Sequence, residues 1–220
     1  MGSPHSRGNS ASLGDYLLRQ LVARGWQTDT LRIHPLQSRN SGLDELLGAV
    51  RSADLIILSF PVYVDSLPTN LIRALQWIAA DRRAATSARE QRLVAVVNAG
   101  FPEACHTEYA LAICRRFASE SGIIWAGGLG MGGGGMIGGR PLEKVGGAMW
   151  FARAALDMAA LALAAGQPVP DEAATLFAKP SIPGWLYALF VNLGWRRDAK
   201  KNGVAKQLKA RPYEPHAAGR

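Results

Sequence analysis

The chain has 220 residues, of which 48% are hydrophobic and 19% charged, a balance that suits a folded domain with a substantial core and excludes a disordered chain. Its net charge is +8, but eight Lys/Arg against two acids fall between Trp195 and Arg220, so a tail carries +6 and the body only +2. Two cysteines, Cys105 and Cys114, nine apart, exclude a disulfide framework and a cysteine-rich metal centre, and suit a reduced, cytoplasmic protein.

The first residues, Met1-Gly2-Ser3-Pro4-His5, are polar and turn-like, unlike a signal peptide. Small hydroxyl and amide residues continue to Asn9-Ser10. Such a loop can turn backbone N–H groups onto an anion, and a helix follows at once, with Leu13, Leu17 and Leu21 on one face and a stop at Arg24-Gly25. A flexible, capped N-terminus is the plainer reading of the same residues. Thr28 to Ile33 alternates and is expected to be a strand ending at Pro35. Ser41-Gly42-Leu43-Asp44 resembles a capping box ahead of a helix marked by Leu43, Leu46, Leu47 and Val50.

Leu55-Ile56-Ile57-Leu58-Ser59 reads as a strand buried on both faces, of the kind found in parallel sheets, and Pro61 ends it. Phe60 to Leu67 then forms a loop carrying Tyr63, a flat ring suited to stacking. Pro68 stands just inside the next helix, with Ser66 as its expected cap, and Leu71, Ile72, Leu75 and Ile78 mark that helix's face. Leu93 to Val97 is a second buried strand, stopping at Asn98-Ala99-Gly100-Phe101-Pro102. Helical spacing returns from Cys105 to Ser119, and Gly122 to Trp125 is expected as a short strand.

Nine of the 24 glycines lie between Gly127 and Gly139. Gly128-x-Gly130-x-x-Gly133 matches the dinucleotide fingerprint weakly, since a run this rich in glycine matches by chance and stands away from a first βα turn. A mobile loop at a ligand's edge and a plain glycine linker are both open readings. Ala148 to Ala165 closes the body as a buried helix; Arg153 and Asp157 argue against a membrane span. His34, His106 and His216 are scattered, without metal spacing, and are read as surface residues.

Strands alternating with helices imply a parallel sheet with helices on both faces. Three stretches then suggest a family. Gly2-Ser3-Pro4 through Asn9-Ser10, Phe60-Pro61-Val62-Tyr63-Val64-Asp65-Ser66-Leu67-Pro68 and Asn98-Ala99-Gly100-Phe101-Pro102 resemble, in that order, the phosphate loop and the two later ligand loops of flavodoxin-like, NAD(P)H-dependent FMN reductases. The resemblance implies an α/β flavodoxin-like fold with sheet order 2-1-3-4-5 and FMN at the switch point. It implies an oxidoreductase passing hydride from NAD(P)H to FMN and on to a quinone, nitro, metal or protein acceptor.

Carried onto this sequence, Ser3, His5, Asn9 and Ser10 would hold the phosphate. Pro61, Val62, Tyr63 and Val64 would line the isoalloxazine, and Asn98, Gly100 and Phe101 would approach its polar edge. No protein acid or base and no metal is expected. Homodimers are usual in the family. The family's central first strand has no counterpart ahead of the phosphate loop in this sequence. Either the start is assigned too late, or the copy is degenerate, or the strand at 28–33 pairs directly with that at 55–59. An unstable or oligomeric chain, and a non-catalytic module without flavin, are the alternatives that follow.

The expected domains are a flavodoxin-like FMN-binding domain at 1–178 and an extension at 179–220. In the extension an aromatic segment, Gly184 to Trp195, precedes Arg196-Arg197-Asp198-Ala199-Lys200-Lys201. It suits docking on the body or on a second subunit, or weak contact of residues 184–211 with an anionic membrane surface. A nucleic-acid role has the charge but no reader motif, and is not expected.

Overall fold

The computed structural model describes residues 1–2, 8–36, 42–85, 89–180 and 182–211. The chain divides into two units, Met1–Ser181 and Ile182–Arg220.

The first unit is built on three parallel strands, β1 (Leu55–Pro61), β2 (Arg92–Asn98) and β3 (Ile124–Met131), in the order β1-β2-β3. Leu55 pairs with Arg92 and Pro61 with Asn98; Arg92 pairs with Ile124 and Asn98 with Met131. The second register shifts between Leu93 and Val94, leaving Ala126 unpaired with β2, and its carbonyl instead accepts from Val169 N at 2.7 Å.

The helices are α1 (Asn9–Val22), the short α2 (Ile33–Leu36), α3 (Gly42–Ser52), α4 (Thr69–Ala84), α5 (Glu108–Glu120), α6 (Trp150–Ala164) and α7 (Asp171–Phe177). Alternation along the strands divides the core into two layers. Val94 and Val96 pack with α1, α6 and α7, where Leu13, Leu17, Leu156 and Phe177 are fully buried. Leu93, Ala95 and Val97 face α3, α4 and α5, with Phe60, Leu71 and Ile78. Each such aliphatic or aromatic side chain contributes about 1.5–3 kcal/mol through burial. That is why β2, apolar at every position from Leu93 to Val97, is the middle strand.

Four expectations need correction. Residues 28–33 are not a strand. Parallel pairing needs a neighbour along the whole length, and among the described residues Met1 alone provides one: its amino group donates to the Leu31 carbonyl (2.7 Å) and its carbonyl accepts from Ile33 N (3.2 Å). Direct pairing of 28–33 with β1 does not occur either, because a cavity separates Thr28–Leu31 from Leu55–Ser59. Three of the five strands implied by the family order are thus present among the described residues.

The glycine run is neither a linker nor a free loop over its first half. β3 extends through it to Met131, paired with β2, and its glycines fit where neighbours leave no room for a Cβ: one on Gly130 would lie 2.1 Å from Thr107 Oγ1. Finally, Ser66 does not cap α4. Its backbone pairs with Tyr63 in both directions (2.9 and 3.2 Å), and Pro68 takes the cap position. The capping box at Ser41 lies outside the described residues.

In the second unit, α8 (Gly184–Lys201) leaves Trp185, Leu189, Phe190, Leu193 and Trp195 exposed. No described helix is long and apolar enough to cross a membrane.

Candidate functional site

Four segments meet in one rim at the carboxyl ends of the strands. Ser59, buried in β1, donates its hydroxyl to the Ser10 carbonyl at 2.6 Å, which seats the first turn of α1 against that strand. Asn9 Oδ1 accepts from Gly139 N at 2.9 Å, joining the same turn to the segment after β3. Val62 N donates to the Asn98 carbonyl at 3.0 Å, joining the loops that leave β1 and β2. Gly134 N donates to the Ala99 carbonyl (2.9 Å) and Gly133 N to that of Phe101 (2.6 Å), so the loops after β2 and β3 lie side by side. Their closeness requires glycine: a Cβ on Gly132 would sit 2.1 Å from the Pro102 carbonyl oxygen.

Of the residues expected from sequence, Asn9, Ser10, Pro61, Val62, Tyr63, Val64, Asn98, Gly100 and Phe101 belong to this rim. Ser3 and His5 lie outside the described residues. The rim residues are not equivalent. Ser10 is 1% exposed, and the Asn9 side chain is committed to Gly139. What α1 offers an anion is therefore its main chain. Among the described residues the helix starts from Gly8 with no side-chain cap and no acid in its first turn, an arrangement in which its first N–H groups and the positive end of its dipole suit an anion.

The loop after β1 presents Tyr63 half-exposed and Val64 almost wholly exposed, and the loop after β2 presents Phe101. Asn98 is buried at the end of β2, and its Oδ1 has no hydrogen-bond partner among the described residues.

Two residues of the rim escaped the sequence reading. His106 Nδ1 lies 2.9 Å from Asp65 Oδ1, and the His106 ring centre is 4.9 Å from that of Phe101. His106 is thus no idle surface residue. It stands in the turn Ala104–Thr107 that leads into α5 and touches both ligand-side loops. Its 41-residue separation from Asp65 leaves no local pattern that could have announced the pair.

The groups whose proton affinity is clearly displaced lie elsewhere and serve the scaffold. Burial pushes the Cys114 thiol up to about 12, which makes it unreactive. Tyr16 is raised to about 12, first by burial and then by donating to Asp157 at 2.9 Å, a bond between α1 and α6. No group of three His, Cys, Asp or Glu among the described residues could hold a metal ion.

The family model for NADPH-dependent FMN reductases matches residues 1–113, just over half of the chain. The chain belongs to the NADPH-dependent FMN reductase family. It is an NAD(P)H-dependent FMN oxidoreductase, with FMN and NAD(P)H as its cofactors. Family membership decides between the two sequence readings in favour of the enzyme.

The solved structure of an apo NADH:FMN oxidoreductase (EMOB) is similar, with a TM-score of 0.51 and 17% identity over 83% of this chain and 92% of that one. It supports the flavodoxin-like fold. An FMN-dependent NADH-azoreductase from Bacillus anthracis str. Ames Ancestor, solved with FMN, scores 0.44 at 13% identity over 70% of this chain and 91% of that one. The Trp repressor binding protein from Bacillus subtilis scores 0.45 at 13% identity over 58% and 78%. No curated protein matches the chain.

Proposed function

We propose that this FMN oxidoreductase holds its flavin on the rim just described and passes electrons to a small planar ring acceptor, a quinone or aromatic nitro compound. The observation that carries this reading is the pair of exposed rings, Tyr63 and Phe101, on adjoining loops, together with the buried amide oxygen of Asn98, which has no partner among the described residues. The residues fit FMN. The start of α1 suits its phosphate, Pro61 to Val64 would line its ring, and Asn98, Gly100 and Phe101 would approach the ring's polar edge. Ser3 and His5 complete the phosphate loop in this assignment.

FMN, when bound, supplies the hydride-accepting ring. The protein's own part is positioning. Tyr63 and Phe101 give a planar acceptor a surface to stack on, and the open rim lets it reach the flavin with few fixed contacts. On the same reading the enzyme works in the cytoplasm as a homodimer, with domain limits at 1–178 and 179–220.

The test is a visible spectrum of the purified protein with FMN, followed by NADPH and then benzoquinone, nitrofurazone or a ferric chelate. A bound flavin that bleaches with NADPH and recovers fastest with the two planar ring acceptors supports the proposal. Recovery only with the ferric chelate overturns the acceptor class.

A further inference from the structure

Helical spacing sorts the 18 residues of α8 into two unlike sides. Trp185, Leu189 and Leu193 fall four apart, and Leu186 and Phe190 lie beside them, so the first three turns carry a broad apolar stripe. The stripe changes character towards the carboxyl end without changing side. Arg196 and Lys200 continue the row of Trp185, and Arg197 continues that of Leu186. The opposite side holds Ala188, Asn192, Gly194, Trp195 and Asp198, small or polar residues but for the tryptophan.

This mixed side faces solvent. Trp185, Leu189, Phe190 and Leu193 are 48–71% exposed, and Arg196, Arg197 and Lys200 are exposed as well. A single exposed leucine is ordinary, but four large apolar side chains gathered on one helix face mark a binding surface.

Length and charge name what binds there. The apolar part, from Trp185 to Leu193, is roughly 13 Å long, less than half of what a bilayer's hydrocarbon core requires, so it can lie in a membrane surface and cannot cross one. Residues 184–211 hold seven Lys/Arg against one acid, Asp198, a net charge of +6, and Asp198 lies on the side away from the stripe. The surface therefore complements an anion-rich partner. A second copy of α8 is a poor one. Paired in parallel, the two helices set arginine against arginine; paired antiparallel, each buries the other's guanidinium groups against leucine with no acid to meet them.

We propose that this side of α8 docks on an anionic phospholipid membrane. Its first three turns enter the boundary between headgroups and acyl chains, and Arg196, Arg197 and Lys200 meet the lipid phosphates. Trp185 suits the headgroup level, where an apolar ring with one N–H donor finds both surroundings. The long stems of arginine and lysine let the helix sink while their charges stay at the phosphates. Each basic residue near such a surface strengthens binding roughly fivefold, so the three act together with the apolar stripe. Docking is independent of the acceptor class.

The test floats the full chain with vesicles of phosphatidylcholine alone and with vesicles containing about 30% phosphatidylglycerol, in about 0.1 M and about 0.5 M salt. Binding is expected to be at least about tenfold stronger to the anionic vesicles and to weaken with salt. The triple variant Arg196→Gln/Arg197→Gln/Lys200→Gln is expected to lose at least about tenfold. Arg73→Gln/Arg115→Gln/Lys144→Gln, which removes the same charge from exposed positions of the first unit, is expected to lose less than about threefold. Leu189→Ser/Leu193→Ser is expected to lose about tenfold or more. Absence of binding to the anionic vesicles, equal binding to both kinds, or equal losses in the two triple variants overturns the proposal. So does a serine variant that binds lipid as before. A serine variant that changes from dimer to monomer without lipid, or whose Tm falls by more than about 5 °C, overturns it too, since either result puts this face against protein.

Discussion

His106 Nδ1 lies 2.9 Å from Asp65 Oδ1, and this contact ties the turn before α5 to the loop after β1. Asp65 and its neighbour Val64 have φ of 57° and 51°. A non-glycine residue held there costs about 1–2 kcal/mol. The Val64 side chain is solvent-exposed and returns none of that cost. The Tyr63–Ser66 pairing holds the turn from inside, and His106 holds it from outside.

Asp65→Ala and His106→Ala are each expected to lower stability by about 0.5–1.5 kcal/mol. Because both side chains are partly exposed, their coupling in a double-mutant cycle is expected at only roughly 0.5–1 kcal/mol. Urea unfolding of the four proteins checks this; strictly additive effects would mean that the pair does not hold the turn.

Asn98 supports a second prediction. Its buried Oδ1 lacks a partner among the described residues, so removing it sacrifices no hydrogen bond of that atom in the flavin-free protein. Asn98→Ala should change the stability of the apoprotein by less than about 1 kcal/mol while weakening FMN binding by roughly tenfold, the value of one hydrogen bond. Fluorescence titration with FMN and thermal unfolding of the apoprotein separate the two effects. Unchanged FMN affinity would remove Asn98 from the site.

The glycines make opposite predictions at two positions. Gly132→Ala places a Cβ against the Pro102 carbonyl, a main-chain atom that cannot swing aside, and should cost about 2 kcal/mol or more. Gly48, within α3, has open space around its missing side chain, so Gly48→Ala should gain roughly 0.5–1 kcal/mol from reduced unfolded-state entropy. Thermal unfolding of both variants checks the pair of signs.

The Met1 amino group makes stability depend on pH near neutrality. Its pKa falls from 8.0 to about 6, through burial first and then the charge of Arg32. Between those values the unfolded chain binds more protons than the folded one, so stability rises with pH from 6 to 8, by roughly 2–3 kcal/mol. Acetylating Met1 should abolish that rise. The Arg51–Asp81 pair acts in a separate window: Arg51 holds the Asp81 carboxyl below its usual 3.8, and this contribution is lost only as pH falls below that range. Urea midpoints at pH 5.5, 7 and 8.5, with and without acetylation, isolate the Met1 effect.

The sequence by itself determined the elements whose signal is local. Leu55–Ser59 and Leu93–Val97 are short continuous apolar runs rich in β-branched residues and bounded by breakers, the pattern of buried parallel strands. Leu13, Leu17 and Leu21 define a helix face by spacing alone, and the Pro-Val-Tyr and Asn-Ala-Gly-Phe segments carry a family pattern in adjacent residues. The tertiary structure decided what depends on distant partners. Residues 28–33 alternate like a strand, but a strand exists only beside another, and among the described residues their main chain is bonded to Met1 alone on that side. Gly127, Gly128 and Gly130 carry no strand signal, yet they lie in β3 because β2 pairs with them, and glycine is required there because Val169, Leu111 and Thr107 respectively press too close for a side chain. Asp65 and His106 are far apart in the chain and meet only because β1 and β2 are neighbours, which is a property of the sheet and of no single stretch of residues.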